Sequence, residues 1–319
     1  MELPPPLKNA IEQEISSLSS KQITSLTERI SGRYRSKERN GKPLLTDINE
    51  AKVYSLFRMP ATFGAVSFVL EQLSLLYPNT DIKNCLDVGA GTGAVSWAVL
   101  EMFPKTETVA VEKEKAMRDI GKHLMTQADF SPFPVWQDGD ILTLPDNISA
   151  DLVICSYVLN ELSEKDQMTA LSNLWQHTKK FLILIDPGTP ETFSYFQKYR
   201  NFFIHQKAFP VAPCPHIYTC PVSENDWCHF SCRIPRTKIH RQVKGGKLAY
   251  EDEKFCYLII SKNPTPSYTA RILRHPQIHN GHIRLSLCQN NGQHLDKTVS
   301  KKEGDLYKKA RKSSWGDIW

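Results

Sequence analysis

The sequence predicts an α/β protein built on a doubly wound, mostly parallel sheet, and three observations predict it. From Asn84 to about residue 205, short apolar runs alternate with stretches of helical periodicity. A glycine-rich turn, Asp87-Val88-Gly89-Ala90-Gly91-Thr92-Gly93, joins the first of those runs to the first of those helices. Helical spacing precedes this alternation and a loss of periodicity follows it. The chain of 319 residues therefore divides into a helical region 1–83, a core of 84–207 completed by 253–262, a Cys-rich insertion 208–252 and a basic, β-containing extension 263–319.

Leu7, Ile11 and Ile15 recur at helical spacing, as do Ile23, Leu26 and Ile30. A basic polar stretch over 33–42 separates them from a second helical pair, 49–57 and 61–76. Pro60 stands near the start of the latter, where a missing N–H is tolerated. Strands are expected at 85–88, 108–111, 151–157 and 181–185, with helices near 93–103, 113–126, 163–178 and 190–205. A further strand at 255–261 ends at the break Asn263-Pro264-Thr265-Pro266. Strand-like alternation resumes at 270–288 before a basic tail.

The charge is unevenly spread. Residues 1–200 hold 21 Lys and Arg against 25 Asp and Glu, whereas residues 201–319 hold 19 against 9. Eight of the ten histidines also fall in the second part. A basic third on a near-neutral body is the electrostatic footprint of a nucleic-acid binder. Lys297, Lys301, Lys302, Lys308, Lys309, Arg311 and Lys312 form the tail, and Arg233, Arg236, Lys238, Arg241, Lys244 and Lys247 a second basic segment. Trp227, Tyr307 and Trp315 are candidates to stack on unpaired bases. No apolar run reaches the roughly 18 residues of a membrane span, and the first residues have neither a signal-like nor a presequence-like pattern. A cytoplasmic, monomeric protein without membrane association is expected. In a reducing compartment its eight cysteines are thiols or metal ligands rather than disulfides.

Glycines permit a left-handed backbone and close approach of a ligand. Asp87 ends the first strand, where a carboxylate can accept from a ligand amine. Glu112 ends the second, where ribose hydroxyls are held in nucleotide folds, and Asp140 follows the third, placed to meet an adenine amine. Position 94 is alanine, so the dinucleotide spacing G-x-G-x-x-G is broken. The form D-x-G-x-G-x-G resembles motif I of the class I S-adenosylmethionine-dependent methyltransferases. That resemblance covers about residues 84–190 and implies their Rossmann-like fold. It also implies S-adenosylmethionine binding by Asp87, Gly89, Gly91, Gly93, Glu112 and Asp140. No catalytic residue is identifiable. Tyr157 ends the fourth strand and Asn160 and Glu161 follow it, but the Asn-Pro-Pro-Tyr loop of amino-methylating enzymes and a Pro-Cys nucleophile are both missing.

Cys214, Cys220 and Cys228 lie within fifteen residues, two of them followed by proline. Thiolates bind soft metals and iron–sulfur clusters, and four ligands complete either site. Five and seven intervening residues are too wide for a common zinc knuckle. Cys232, Cys256, Cys288, His216 and His229 are the candidates for a fourth ligand. Cys85 and Cys155 have apolar neighbours and read as buried core thiols.

The run from Ala212 through Cys214-Pro215-His216, Cys220-Pro221 and Asp226-Trp227-Cys228-His229-Phe230 is followed by Tyr250-Glu251-Asp252-Glu253-Lys254-Phe255. Together with Arg58-Met59-Pro60-Ala61-Thr62, Asp186-Pro187-Gly188-Thr189-Pro190 and Trp315-Gly316-Asp317, it resembles one family. That family is the methyltransferase-like assembly factors of the mitochondrial small ribosomal subunit and their bacterial relatives. The resemblance implies a [4Fe–4S] cluster on Cys214, Cys220, Cys228 and Cys288, with zinc as the alternative. It implies small-subunit ribosomal RNA and the assembling small subunit as partners. Two functions are consistent with it: an RNA methyltransferase, or a non-catalytic assembly factor whose cluster shapes an RNA-binding surface. A redox-sensing transferase that releases RNA on cluster loss is a third.

Overall fold

The computed structural model describes residues 2–35, 45, 47–237, 239, 241 and 248–319, which form two compact units. The first comprises Met1–Glu71, Asp81–Lys179 and Cys232–Glu253, and the second Gln72–Thr80, Lys180–Ser231 and Lys254–Trp319. Much of the basic stretch 33–42 lies outside the described residues, as do Lys238, Lys244 and Lys247.

In the first unit, α1 (Pro5–Ile15) buries Leu7, Ala10, Ile11 and Ile15, and α2 (Ser20–Arg35) buries Ile23 and Ile30. α3 (Ile48–Phe57) starts at Asp47, whose carboxylate caps the N–H groups of Asn49 and Glu50. Glu50 is fully buried and accepts from Arg29 Nε at 2.6 Å and from both Nη atoms of Arg33 at 2.8 Å. This network ties α2 to α3. α4 (Met59–Leu76) is 18 residues long with a mean hydropathy of 1.3, enough by length and composition to cross a membrane, and it is 61% buried. A helix apolar all round fits an interior position of that kind.

The alternation beyond Asn84 folds as expected. β1 (Asn84–Val88) lies between β2 (Glu107–Val111) and β4 (Ala150–Ser156), all parallel, and β3 (Val135–Gln137) adds to β2. The central strands are near-continuous apolar runs because both faces are covered. α5 (Ala94–Met102), α6 (Lys115–Met125) and α7 (Glu164–His177) follow β1, β2 and β4 in the chain. This is a Rossmann-like α/β arrangement with helices preceding it.

In the second unit β5 (Thr178–Pro187) pairs antiparallel with β8 (Tyr250–Ser261), and β6 (Phe209–Ala212) pairs with β8 as well. α8 (Pro190–His205) is capped by Thr189 and has proline in its first turn. A separate antiparallel sheet follows, in which β10 (Gln277–His279), β11 (His282–Gln289) and β12 (His294–Ser300) run in order and β9 (Ala270–Ile272) pairs with β11. Ile272, Ile283, Leu285, Leu287, Val299 and Trp319 form its core, closed by Ala310 of α9 (Asp305–Lys312). The basic tail therefore contains a helix.

Arg271 on β9 is wholly buried. It donates to the carbonyls of Pro213 (3.2 Å) and Gly316 (2.7 Å), to the Tyr268 hydroxyl (3.0 Å) and to Gln72. Within the expected irregular stretch 208–252 the chain forms β6 and β7 (Phe230–Pro235). β8 begins at Tyr250, five residues earlier than the apolar run that announces it. Its first residues meet β7 and the residue after it through polar pairs, with Arg233 bidentate on Asp252 and Arg236 donating twice to Glu251 Oε2.

Candidate cofactor loop and cysteine site

Gly89, Gly91 and Gly93 all have positive φ (71°, 57° and 89°), so the backbone itself requires glycine at these three positions. A Cβ on Gly89 would run into Val158. The N–H groups of Gly89 and Ala90 both donate to the Val111 carbonyl, that of Gly91 to Glu112 Oε2 and that of Gly93 to the Ala90 carbonyl. A phosphate cradle needs such donors free. Here they are spent inside the protein beside two carboxylates, which argues against a pyrophosphate-bearing ligand.

Asp87 is 1% exposed. Its Oδ2 accepts from Ser96 N–H (3.1 Å) and Oγ–H (2.7 Å), while Oδ1 is buried with no partner. Burial raises its carboxyl from 3.8 to about 7, and the nearby Glu112 charge adds to the shift. An orphaned carboxylate oxygen of this kind suits a cationic amine. Glu112, also raised by burial, accepts from Gly91 N–H and Glu114 N–H at 2.8 Å, one on each oxygen. Each carboxylate oxygen has a second lone pair for a ligand hydroxyl. Asp140 caps a short 3₁₀ turn through Leu142 N–H and meets Lys113 Nζ at 3.3 Å.

Beyond β4, Tyr157 takes a left-handed conformation (φ 59°) and donates its hydroxyl to Glu253 at 2.8 Å. Burial and then the Glu253 charge push this phenol well above its usual range. Arg58 approaches both, over the Tyr157 ring and 3.5 Å from Glu253. Asn160 is exposed on the following 3₁₀ turn, which also carries Glu161.

The second site lies wholly in the second unit. Cys214, Cys220, Cys228, Cys256 and Cys288 line one cavity of about 50 Å³, together with His216 and Arg200. That is several times the space one water needs, so it is no packing defect. The thiols come from the loop after β6, the approach to β7, and strands β8 and β11. Burial raises the Cys220 thiol and takes Cys228 well above its ordinary value, with neighbouring sulfurs adding to both. Cys288 is raised for the same reasons, and Cys256 is pushed to about 12 by burial and then by Asp186. Cys256 also donates to the Cys228 carbonyl at 3.3 Å. His216, lowered to about 4 by burial and then by Arg200, is neutral. Among the described residues, no three His, Cys, Asp or Glu side chains come close enough together to hold a single metal ion.

The alternatives for a fourth ligand now separate. Cys288, Cys256 and His216 line the cavity. Cys232 belongs to the first unit, where burial and Glu253 push its thiol to about 12. His229 stacks on Trp227 at 4.7 Å and donates its Nδ1–H to the Trp227 carbonyl.

A family model described as Mitochondrial small ribosomal subunit Rsm22 matches residues 48–319. The chain belongs to the Rsm22 family. It is 28% identical over 289 residues to the human ribosome assembly protein METTL17, mitochondrial, covering 83% of this chain and 61% of that protein. With Rsm22-cox11 tandem protein 2, mitochondrial, of Schizosaccharomyces pombe, it shares 26% over 316 residues, covering 82% and 42%. The chain thus spans about three-fifths and two-fifths of the lengths of these two relatives. Among solved structures it resembles a putative RNA methyltransferase from Pyrococcus horikoshii, with a TM-score of 0.44, 18% identity and coverage of 63% and 85%. It also resembles a magnesium protoporphyrin IX methyltransferase from Synechocystis with bound S-adenosylmethionine, at 0.43, 14%, 78% and 99%.

In this Rsm22-family chain the expected basic surface is only partly available. Arg233 and Arg236 are ion-paired, Lys308 pairs with Asp305, and Lys297 and Lys309 lie over the Trp319 ring. Lys301, Lys302, Arg311 and Lys312 are exposed. Trp227 donates to the Gly188 carbonyl and Trp315 packs among His229, Phe230 and His275, so both serve the fold. Tyr307 packs against the second sheet's core. Sequence reasoning missed Arg200, because a lone arginine on an amphipathic helix ordinarily reads as solvated.

Proposed function

We propose that this chain is a methyltransferase-like assembly factor of the small ribosomal subunit. In this reading it holds a [4Fe–4S] cluster on Cys214, Cys220, Cys228 and Cys288, binds S-adenosylmethionine at the loop 87–93, and contacts small-subunit ribosomal RNA through its basic residues. The convergence of cysteines up to 74 positions apart on one cavity carries this reading. A single zinc ion needs all its ligands about 2.0–2.3 Å from one point, which is not the arrangement found among the described residues. A cube of four irons takes one thiolate at each corner and so wants its sulfurs spread around a cavity. When bound, the cluster supplies a one-electron couple and fixed links between chain segments. Anaerobic purification followed by iron and sulfide analysis tests this; a colourless, zinc-loaded protein refutes it.

Methyl transfer to RNA is a second reading, favoured by the unpartnered oxygen of Asp87. Against it stands the Tyr157 hydroxyl, engaged by Glu253 rather than aimed at a substrate. Calorimetry with S-adenosylmethionine, then labelled methyl transfer to small-subunit ribosomal RNA, separates the two. Binding without transfer supports the assembly role. Co-sedimentation with small-subunit precursors that fades with salt is expected in either case.

A further inference from the structure

α8 carries Arg200 into the wall of the cysteine cavity, where the residue is 4% exposed. Its Nη2 donates to the carbonyls of His216 (2.6 Å) and Tyr218 (2.9 Å), both within the loop between Cys214 and Cys220. The same nitrogen faces His216 Nδ1 at 3.4 Å. Both protons of Nη2 go to those two carbonyls, so this contact leaves the ring tautomer open. Nε2 lies 3.3 Å from the Cys288 sulfur. A ligand thiolate can only accept, so in the cluster-bound form this nitrogen carries the imidazole proton, and Arg200 holds the loop that presents it to the sulfur.

The charges around the cavity point the same way. Neither Arg200 nor Arg271 forms an ion pair with a carboxylate among the described residues, and Arg200 Nε is buried with no partner. Arg271 spends its donors on uncharged groups and stands opposite Cys288 in the β9–β11 register. Buried cations without counter-charge are costly. Four thiolates around a cluster core supply the missing negative charge.

We propose that Arg200, acting through His216, is a positioning residue that sets the reduction potential of the cluster held by Cys214, Cys220, Cys228 and Cys288. The inference rests on the cluster reading above. Reduction adds one electron from a chemical reductant such as dithionite. No bond to Arg200 or His216 forms or breaks, and no proton leaves either. A fixed positive charge and an N–H···S bond both favour the more negative, reduced state, because hydrogen bonds to sulfur and net charge are what tune such couples.

The test is a dithionite titration of the full chain followed by electron paramagnetic resonance, alongside iron and sulfide content. Arg200→Gln keeps a polar side chain but removes the charge, and reduction should become at least tenfold less favourable, a fall of 59 mV for one electron. His216→Phe removes the N–H and should also lower the potential. Arg200→Lys should stay near wild type, as should Phe196→Leu, which alters the cavity wall without touching charge. Unchanged potentials in both Arg200→Gln and His216→Phe overturn the proposal. If Arg200→Gln cannot retain iron, Arg200→Lys decides: retained iron at near-wild-type potential supports it, and loss of iron there too overturns it. A wild-type chain that carries no iron or sulfide instead removes the cluster reading itself.

Discussion

The substitution Asp87→Asn should stabilise this protein by an amount that grows with pH. In the folded chain the Asp87 carboxyl is raised from 3.8 to about 7, chiefly by burial and further by Glu112. Between those two values the folded state holds a proton that the unfolded chain has released. Its stability therefore falls as pH rises from the unfolded value and reaches its full deficit above the folded one. Each unit is worth 1.36 kcal/mol, so the deficit is about 4 kcal/mol at pH 8, about 1.5 kcal/mol at pH 5 and near zero at pH 3. Asparagine cannot ionise, yet its carbonyl can still accept from Ser96 N–H and Oγ–H. Urea titrations at pH 5, 6, 7 and 8 should show the midpoint difference between variant and wild type widening steadily, with equal slopes. On the proposed S-adenosylmethionine reading, the same variant should also lose affinity for that ligand, since the carboxylate offered to its cationic amine has gone. A stability difference that is flat from pH 5 to 8, or a variant less stable than wild type at pH 8, would refute the assigned burial and charge of this group.

Three further outcomes follow from geometry. Glu50→Ala leaves Arg33 without its bidentate partner beside a buried site, and should cost about 3–5 kcal/mol, read as a lower urea midpoint. Cys288→Ser should lose most of its iron, whereas Cys232→Ser, in the other compact unit, should keep a wild-type iron content; the reverse pattern would reassign the ligand set. Replacing Lys301, Lys302, Arg311 and Lys312 with alanine should weaken binding to single-stranded ribosomal RNA. It should also flatten the slope of log K against log salt by about 0.7 for each phosphate left without its cation. An unchanged slope would place the RNA surface elsewhere.

What the sequence made legible was whatever depends on local spacing. The turn 87–93 could be read because three glycines are demanded by three left-handed residues, and the strands around it because burial on both faces leaves only apolar side chains. The start of β8 was hidden because Tyr250, Glu251, Asp252 and Glu253 form a polar run, with Glu251 and Asp252 pairing across to β7 by charge, which leaves no apolar alternation to find. α9 was hidden likewise, since only Leu306, Tyr307 and Ala310 pack inward among lysines and arginine. The cysteines could be noticed as a group, but that Cys256 joins them at the cavity depends on the β5–β8 register. Arg200 gave no signal at all. Its partners are carbonyl groups, and these are set by the fold of residues 16 and 18 positions away.

Arg271 has a consequence for how the second unit comes apart. Its guanidinium is shared among Gln72, Pro213, Tyr268 and Gly316, segments spread over most of the chain's length. Losing any one of these acceptors leaves a buried charge short of its solvation, so the others lose their anchor at the same moment. Opening of these segments should therefore be coupled. Amide hydrogens near them should exchange together through one shared event, and a protease that nicks any of these segments should yield small peptides, not a trimmed and still folded core.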